Sequence, residues 1–263
     1  MRDFEREGEI SCFLVYSDRK HVEYINNILN PIREFLDQNG FKVRLLSEVT
    51  PGEEHYGQVF EDIVEQCALG VIILDGFRPN VIYEYGYLRG KNKPIIAIQD
   101  KNACIAIKSI IKSNETIINN KKKYCGLTKK MVDDLKEPPI GFFTQLSDRA
   151  GVKVIVVDRN ASLGSSDHLK NILKKEIKLL MPKIIEEWEN IILKPISNNT
   201  KPEILHRVRD NTHKILEYYS GIKNFTIEEV KSISQELENL EKEATIEVPP
   251  QLYDMIGFLY YNN

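Results

Sequence analysis

The chain has 263 residues, of which 42% are hydrophobic and 29% charged, enough for one medium domain and a smaller one. Its formal net charge of −3 provides no overall positive field, so nucleic acid is not expected as a direct ligand. The charged N-terminus has no signal-peptide core, and no apolar run approaches the roughly 18 residues that a membrane span needs. We therefore expect a cytoplasmic protein without a membrane partner.

The cysteines indicate neither disulfides nor a metal. Cys12, Cys67, Cys104 and Cys125 are scattered along the chain, and no CxxC pair is present. This spacing argues against a disulfide framework and against a zinc site. The expectation is four reduced and mostly buried thiols, with no metal and no bound cofactor.

From residue 9 to about 98, short apolar runs alternate with amphipathic segments, as in repeated βα units on a parallel sheet. The predicted elements are strand one over 10–16, helix one over 22–39, strand two over 41–46, helix two over 53–67, strand three over 69–75, helix three over 81–89 and strand four over 94–98. Gly40 and Gly90 are expected to end helices one and three. A fifth strand is predicted over 152–157, after an insertion at about 99–150.

The C-terminal third is predicted to be helical. A long helix over 168–192, capped by Asp167, precedes a Pro/Asn/Ser-rich linker over 194–202. Two further helices follow over 203–220 and 226–244, the second opened by a capping box of Thr226 and Glu229, and then an apolar, aromatic tail over 252–261. The predicted division is an α/β domain over 1–194 and a small helical domain over 203–263.

Five strands in this order predict a doubly wound parallel sheet of order 2-1-3-4-5, with a ligand crevice at the switch point between strands one and three. The loop from Tyr16 to Lys20 and the segment from Asp75 to Glu84 would line this crevice, and residues 47–56 would form part of its rim. Neither GxGxxG nor GxxxxGK[ST] occurs in these turns. A Rossmann dehydrogenase and a P-loop NTPase are therefore disfavoured.

Two carboxylates mark the segment after strand three. Pro79 and Asn80 predict a turn and an N-cap for a helix that starts at Val81. Glu84 would then lie in the first helical turn, where the helix dipole favours the ionised carboxylate. An anionic oxygen beside a crevice suits a nucleophile or a group that stabilises developing positive charge.

The segment from Asp75-Gly through Pro79-Asn-Val-Ile-Tyr-Glu84-Tyr-Gly86 to the Gly90-Lys-Asn-Lys-Pro94 stretch resembles the nucleoside 2-deoxyribosyltransferase-like proteins and the related bacterial Toll/interleukin receptor (TIR)-like proteins. The resemblance covers residues 9 to 98. It implies a flavodoxin-like sheet and a glutamate, here Glu84, that acts on the anomeric carbon of an N-glycoside. The transferases usually carry a further acidic residue shortly before this glutamate, where the present chain has Arg78, Pro79 and Asn80. A cationic pyridinium leaves without protonation, so the resemblance favours cleavage of NAD.

The resemblance thus implies an NAD hydrolase that releases nicotinamide and ADP-ribose, with NAD as substrate and no cofactor. The catalytic residue would be Glu84, and the expected substrate-binding residues are Tyr16, Ser17, Asp75, Asn80 and Tyr83. TIR-like enzymes commonly act in assemblies as defence effectors, which implies a homo-oligomer, or a partner bound through the C-terminal helices, in antiphage defence. Two alternatives stay open: a nucleoside or nucleotide 2-deoxyribosyltransferase or hydrolase, and a non-catalytic nucleotide-sensing or scaffold module.

Each of these residues also has a structural interpretation. Glu84 could be a solvated surface charge, Asn80 an ordinary N-cap, and Tyr83 part of a tyrosine-rich helix that packs on the sheet. His55 has no metal-ligand spacing around it, and the run from Lys121 to Lys123 is typical of a solvated face.

Overall fold

A five-stranded parallel sheet of order β2-β1-β3-β4-β5 confirms the predicted doubly wound fold. The computed structural model describes residues 10–16, 25–46, 56–74, 79–100, 154–157 and 164–261. The strands are β1 (Ile10–Val15), β2 (Phe41–Arg44), β3 (Leu69–Leu74), β4 (Ile95–Asp100) and β5 (Val154–Val157). All six residues of β3 are buried, because this central strand is covered on both faces.

Helices flank the sheet in the order expected for right-handed crossovers. A π-helical turn (Ile25–Leu29) leads into α1 (Asn30–Gln38), α2 (Tyr56–Gln66) follows β2, and α3 (Pro79–Gly90) follows β3. From β1 to β2 the chain moves toward one edge of the sheet, and from β2 to β3 and from β3 to β4 it moves toward the other. Because the crossovers are right-handed, α2 and α3 lie on one face of the sheet and α1 covers the opposite face. Gly40, which was predicted to end this helix, takes a φ of +79° one residue after the C-cap Asn39.

Close packing joins α3 to the centre of the sheet. A Cβ added to Gly70 on β3 would lie 2.9 Å from Cδ1 of Leu88 on α3, and Leu88 is fully buried. Gly70 is paired with Phe13 on β1 and with Ile95 on β4. These register partners therefore point toward the α2 and α3 face, and the ring of Phe13 packs against Phe60 of α2.

The ends of α3 differ from the prediction. The helix begins at Pro79, because proline is well accommodated at a first helical position, where its missing N–H has no intrahelical partner to lose. Asn80 is thus the second helical residue and not the N-cap, and Glu84 lies in the second turn and not in the first. Gly90 remains helical, and Asn92 supplies the left-handed residue with φ +56°.

The long helix α4 (Gly164–Ser197) is longer than predicted at both ends. Asp167 lies inside its first turn and is not the cap. Pro195 falls in the predicted linker over 194–202 but is still helical, so the interruption is confined to a short turn before Pro202.

The C-terminal residues form the helices α5 (Pro202–Tyr219), α6 (Ile227–Ala244) and α7 (Pro250–Tyr261). The predicted capping box is confirmed, since Glu229 N–H donates to Thr226 Oγ1 at 3.2 Å and Thr226 N–H donates to the Glu229 carboxylate at 2.8 Å. The apolar tail is a helix, and its buried residues are Leu252, Met255, Ile256 and Leu259.

The chain divides into two compact units, and the change after the sheet falls at residue 180, inside α4. One unit is built on residues 12–64 and 69–179, and the other combines residues 180–263 with residues 1–11 and 65–68. The predicted domain boundary at 194–203 stays a prediction. The predicted insertion, together with Cys104 and Cys125, lies outside the described residues, while Cys12 and Cys67 are buried. None of the helices described combines the length and apolar character needed to cross a membrane.

Candidate functional site

The candidate site lies where β1 and β3 end side by side. These adjacent parallel strands carry connections to opposite faces of the sheet, an arrangement in which α/β proteins usually bind ligands at the carboxyl ends of the strands. Tyr16 follows β1 directly, and α3, which follows β3, contributes Glu84. The predicted contributions of Ser17, Asp75 and the 47–55 part of the rim fall on residues outside those described.

Glu84 is a half-buried carboxylate on an otherwise apolar part of α3. Val81, Tyr85 and Leu88 are buried on the face of α3 that packs against the sheet. Glu84 lies next to this face, on the side of the helix that is toward α2. Burial raises the pKa of Glu84 from 4.5 to about 7. No cation or hydrogen-bond donor among the described residues lowers it. The side chain is therefore divided between its acid and carboxylate forms at neutral pH.

This result corrects the expectation that the helix dipole keeps Glu84 ionised. Because α3 begins at Pro79, the carboxyl group lies beyond the first turn, where the dipole effect has largely decayed. Desolvation then dominates, and it disfavours the charged form. A pKa close to neutral pH suits proton transfer in either direction, because appreciable fractions of both forms are present.

An aromatic cluster joins α2 to α3 beside Glu84. The ring of Phe60 lies 5.7 Å from that of Tyr83 and 4.9 Å from that of Tyr87, and the two tyrosine rings are 6.3 Å apart. The Tyr87 hydroxyl is hydrogen-bonded to Glu61 of α2 and to Lys91. The cluster thus fixes the spacing of the two helices and supplies apolar surface close to Glu84.

The other described site residues are not gathered around Glu84. Tyr83 is 62% exposed and belongs to the outer face of α3, and Asn80 is exposed in the first turn. Tyr16 is half-buried directly after β1. The substrate-binding roles of these three residues stay predictions.

Gln99 is a polar residue of the crevice region that the sequence interpretation missed. It is only 1% exposed near the carboxyl end of β4, and its pairing with Leu74 places it on the α3 face. The signal was a single amide at the end of the apolar run Ile95 to Ile98. The predicted strand four ends at Ile98, whereas β4 continues through Gln99 to Asp100.

Comparisons with known proteins leave the family of this chain open. No protein-family model, curated protein or solved structure matched it. In the part of the chain that the structure describes, no group of three or more His, Cys, Asp or Glu side chains is arranged to hold a metal ion. A function can therefore be inferred only from the chemistry of the site and from the motif around Glu84.

The buried carboxyl group makes stability depend on pH in a defined direction. The pKa of Glu84 is about 7 in the folded chain and 4.5 in the reference state. This group therefore favours folding most below pH 4.5, where it is protonated in both states, and that stability is lost as the pH rises through about 7. Allowing for partial exposure, we expect Glu84→Gln to raise the free energy of unfolding by about 1 to 2 kcal/mol at pH 8 and by almost nothing at pH 4.

Urea denaturation at the two pH values measures this difference. The matched control is Glu34→Gln on α1. Glu34 is exposed to solvent, and its carboxylate forms an ion pair with the ammonium group of Lys170 at 3.4 Å. An equal gain from Glu84→Gln at pH 4 and at pH 8 would show that folding does not raise the pKa of this carboxyl group.

Proposed function

We propose that the protein is an N-glycoside hydrolase that cleaves NAD at the nicotinamide–ribose bond and releases nicotinamide and ADP-ribose. The observation that carries this proposal is Glu84, a half-buried carboxyl group with a pKa of about 7 on the helix that follows β3, beside the switch point of the sheet. The sequence motif around Glu84 supports the choice of an N-glycoside, and the cationic pyridinium leaving group supports the choice of NAD.

The chemistry requires one carboxylate and one water molecule. As the bond between C1′ and the pyridinium nitrogen breaks, its electron pair passes to that nitrogen and neutral nicotinamide leaves. Positive charge then develops on the ribose ring, and the ionised form of Glu84 stabilises it, an interaction that the apolar surroundings strengthen. Water adds its oxygen to C1′, and Glu84 accepts the proton that this water releases.

Substrate positioning is part of the same proposal. Asp75, Ser17 and Tyr16 are proposed to hold the ribose hydroxyls, and Asn80 and Tyr83 to contact the nucleotide beside α3. Orientation of the ribose matters because a reacting group held within attacking distance converts a bimolecular step into an effectively unimolecular one. NAD is the substrate, and the chemistry requires no further cofactor.

The raised pKa also supports a second candidate, a nucleoside or nucleotide 2-deoxyribosyltransferase or hydrolase. A purine or pyrimidine leaves poorly unless it is protonated, and Glu84 is about half protonated at pH 7. The two candidates predict opposite pH profiles. Cleavage that uses the carboxylate rises as the pH passes through about 7, whereas cleavage that uses the acid falls over the same range.

Purified protein incubated with NAD between pH 5 and 9 tests the proposal through nicotinamide release, with Glu84→Gln measured in parallel. A second series with deoxynucleosides and a labelled free base detects transfer. Nicotinamide release that rises through neutral pH and requires Glu84 supports the NAD hydrolase. Incorporation of labelled base assigns the transferase, and tight nucleotide binding without turnover assigns a nucleotide-sensing module.

We further propose that the activity belongs to a regulated TIR-like effector in the cytoplasm, active in an oligomer or with a partner and serving antiphage defence. Exposed aromatic side chains on α7 support a partner-binding role for the C-terminal helices, since Phe258 and Tyr261 are both exposed. The NAD assay is therefore to be run over a range of protein concentrations, because assembly-dependent activity rises more steeply than the concentration itself.

A further inference from the structure

The outer face of α3 carries an apolar depression of about 430 Å³, of which the catalytic proposal uses only Tyr83. Its lining residues are Tyr83, Gly86, Tyr87, Gly90 and Lys91. This volume is within the range of small-molecule sites, roughly 300 to 1,000 Å³. Because α3 also buries Val81, Tyr85 and Leu88 against the sheet, the helix is apolar on two opposite faces. A helix that packs on a sheet normally has only one apolar face, the face that contacts the sheet.

The shape of the depression comes from the spacing of its residues. Gly86 and Gly90 are one helical turn apart, and a Cβ added to either would meet no atom within 4 Å. Tyr83 and Tyr87 lie beside the two glycines and are also one turn apart, and the ring of Phe60 packs against both tyrosine rings. A flat ring can therefore approach the helix backbone at the glycines while it contacts aromatic side chains at its edge.

One end of the depression carries an ammonium group beside a carboxylate, because Lys91 and Glu61 of α2 both contact the Tyr87 hydroxyl. Lys91 is exposed, and its ammonium nitrogen lies 5.6 Å from the centre of the Tyr87 ring. Lys91 is one turn beyond Tyr87, about 6 Å along the helix axis. An apolar surface bordered by tyrosine rings and ending in an ammonium group complements a ligand that joins a planar ring to an anion.

We propose that this depression is a nucleotide subsite, in which a base lies on the tyrosine and glycine face and a phosphate meets Lys91. The choice of a nucleotide rests on the proposed function, because Tyr83 directly precedes Glu84 and the subsite would hold the half of the dinucleotide that does not react. The site itself is defined by its residues and can be tested without any turnover.

Calorimetric titration of the full chain with AMP and with adenosine tests the subsite. Gly86→Leu fills the depression, and we expect it to weaken AMP binding at least about tenfold, or 1.4 kcal/mol. Lys91→Met is expected to weaken AMP binding about fivefold and to leave adenosine binding within about twofold, because only AMP carries the phosphate. The matched control is Gly257→Leu on α7, another exposed helical glycine with open space around it.

Each outcome decides the proposal. Leucine is a better helix former than glycine, so Gly86→Leu is not expected to lower the urea midpoint, and lost binding cannot be attributed to unfolding. AMP binding that Gly86→Leu and Gly257→Leu affect equally, or no AMP binding up to about 10 mM, overturns the subsite. A change in sedimentation without a change in AMP binding would assign the face to contact between copies and would also overturn it. AMP binding that persists without NAD cleavage in any assembled state would retain the subsite and reject the hydrolase.

Discussion

Replacement of Glu84 by glutamine is expected to lower nicotinamide release from NAD at pH 8 by about a thousandfold or more. Glutamine keeps the size of the side chain but removes the negative charge that we propose stabilises the ribose cation, and the oxygen that we propose accepts a proton from water. At pH 8 most Glu84 side chains are ionised, so the comparison is made where the proposed mechanism predicts the highest wild-type rate. Initial rates with NAD give the effect directly.

Glu34→Gln supplies the control for this measurement, because it is the same chemical change on α1, which covers the opposite face of the sheet. Its rate is expected to match the wild type, since the exposed pair with Lys170 contributes little. Near-identical nicotinamide release by the wild type and Glu84→Gln would remove Glu84 from the chemistry. A circular dichroism spectrum and a urea midpoint for each variant separate lost catalysis from lost folding.

Leu88→Ala is expected to lower the free energy of unfolding of the α/β unit by about 2 to 4 kcal/mol. Leu88 is fully buried and fills the space that Gly70 leaves on β3, so its removal creates a cavity between α3 and the sheet. Urea denaturation measures the loss. Leu179→Ala is the matched control, because Leu179 is a helical leucine that is 65% exposed and should cost less than about 0.5 kcal/mol.

A double-mutant cycle tests whether Gly70 and Leu88 fit each other. Gly70→Ala alone is expected to cost about 1 to 3 kcal/mol, because its new methyl group would lie 2.9 Å from Cδ1 of the buried Leu88. In the Leu88→Ala background this clash is absent and the cavity can accept the methyl group, so the added cost should fall by about 1 kcal/mol or more. Simple additivity would show that the two residues do not define the helix position.

The sheet was predictable because its determinants are local. Continuous apolar runs such as Leu69 to Leu74 mark buried parallel strands, and the alternation with amphipathic segments leads to the order 2-1-3-4-5. The capping box at Thr226 was equally predictable from the sequence, since it depends on two side chains three residues apart. The position of Glu84 after β3 followed from the same pattern.

The parts that differ from prediction depend on contacts between distant segments or on ambiguous signals. Pro79 and Asn80 fit both a turn before a helix and its first two residues, and the structure takes the second form. The pKa of Glu84 depends on how far folding buries its side chain, which no local pattern encodes. Gly90 and Asn92 can each end a helix, and only the structure shows that Asn92 does so.

The central position of β3 has a consequence for hydrogen exchange. This strand pairs with β1 on one side and β4 on the other, and its six residues are buried. Amide protons in such a strand exchange only when a large part of the sheet opens, whereas those of the edge strand β5 need only local separation. Because α3 is packed on β3 through Leu88 and Gly70, the backbone that carries Glu84 is supported by the strand that we expect to exchange most slowly.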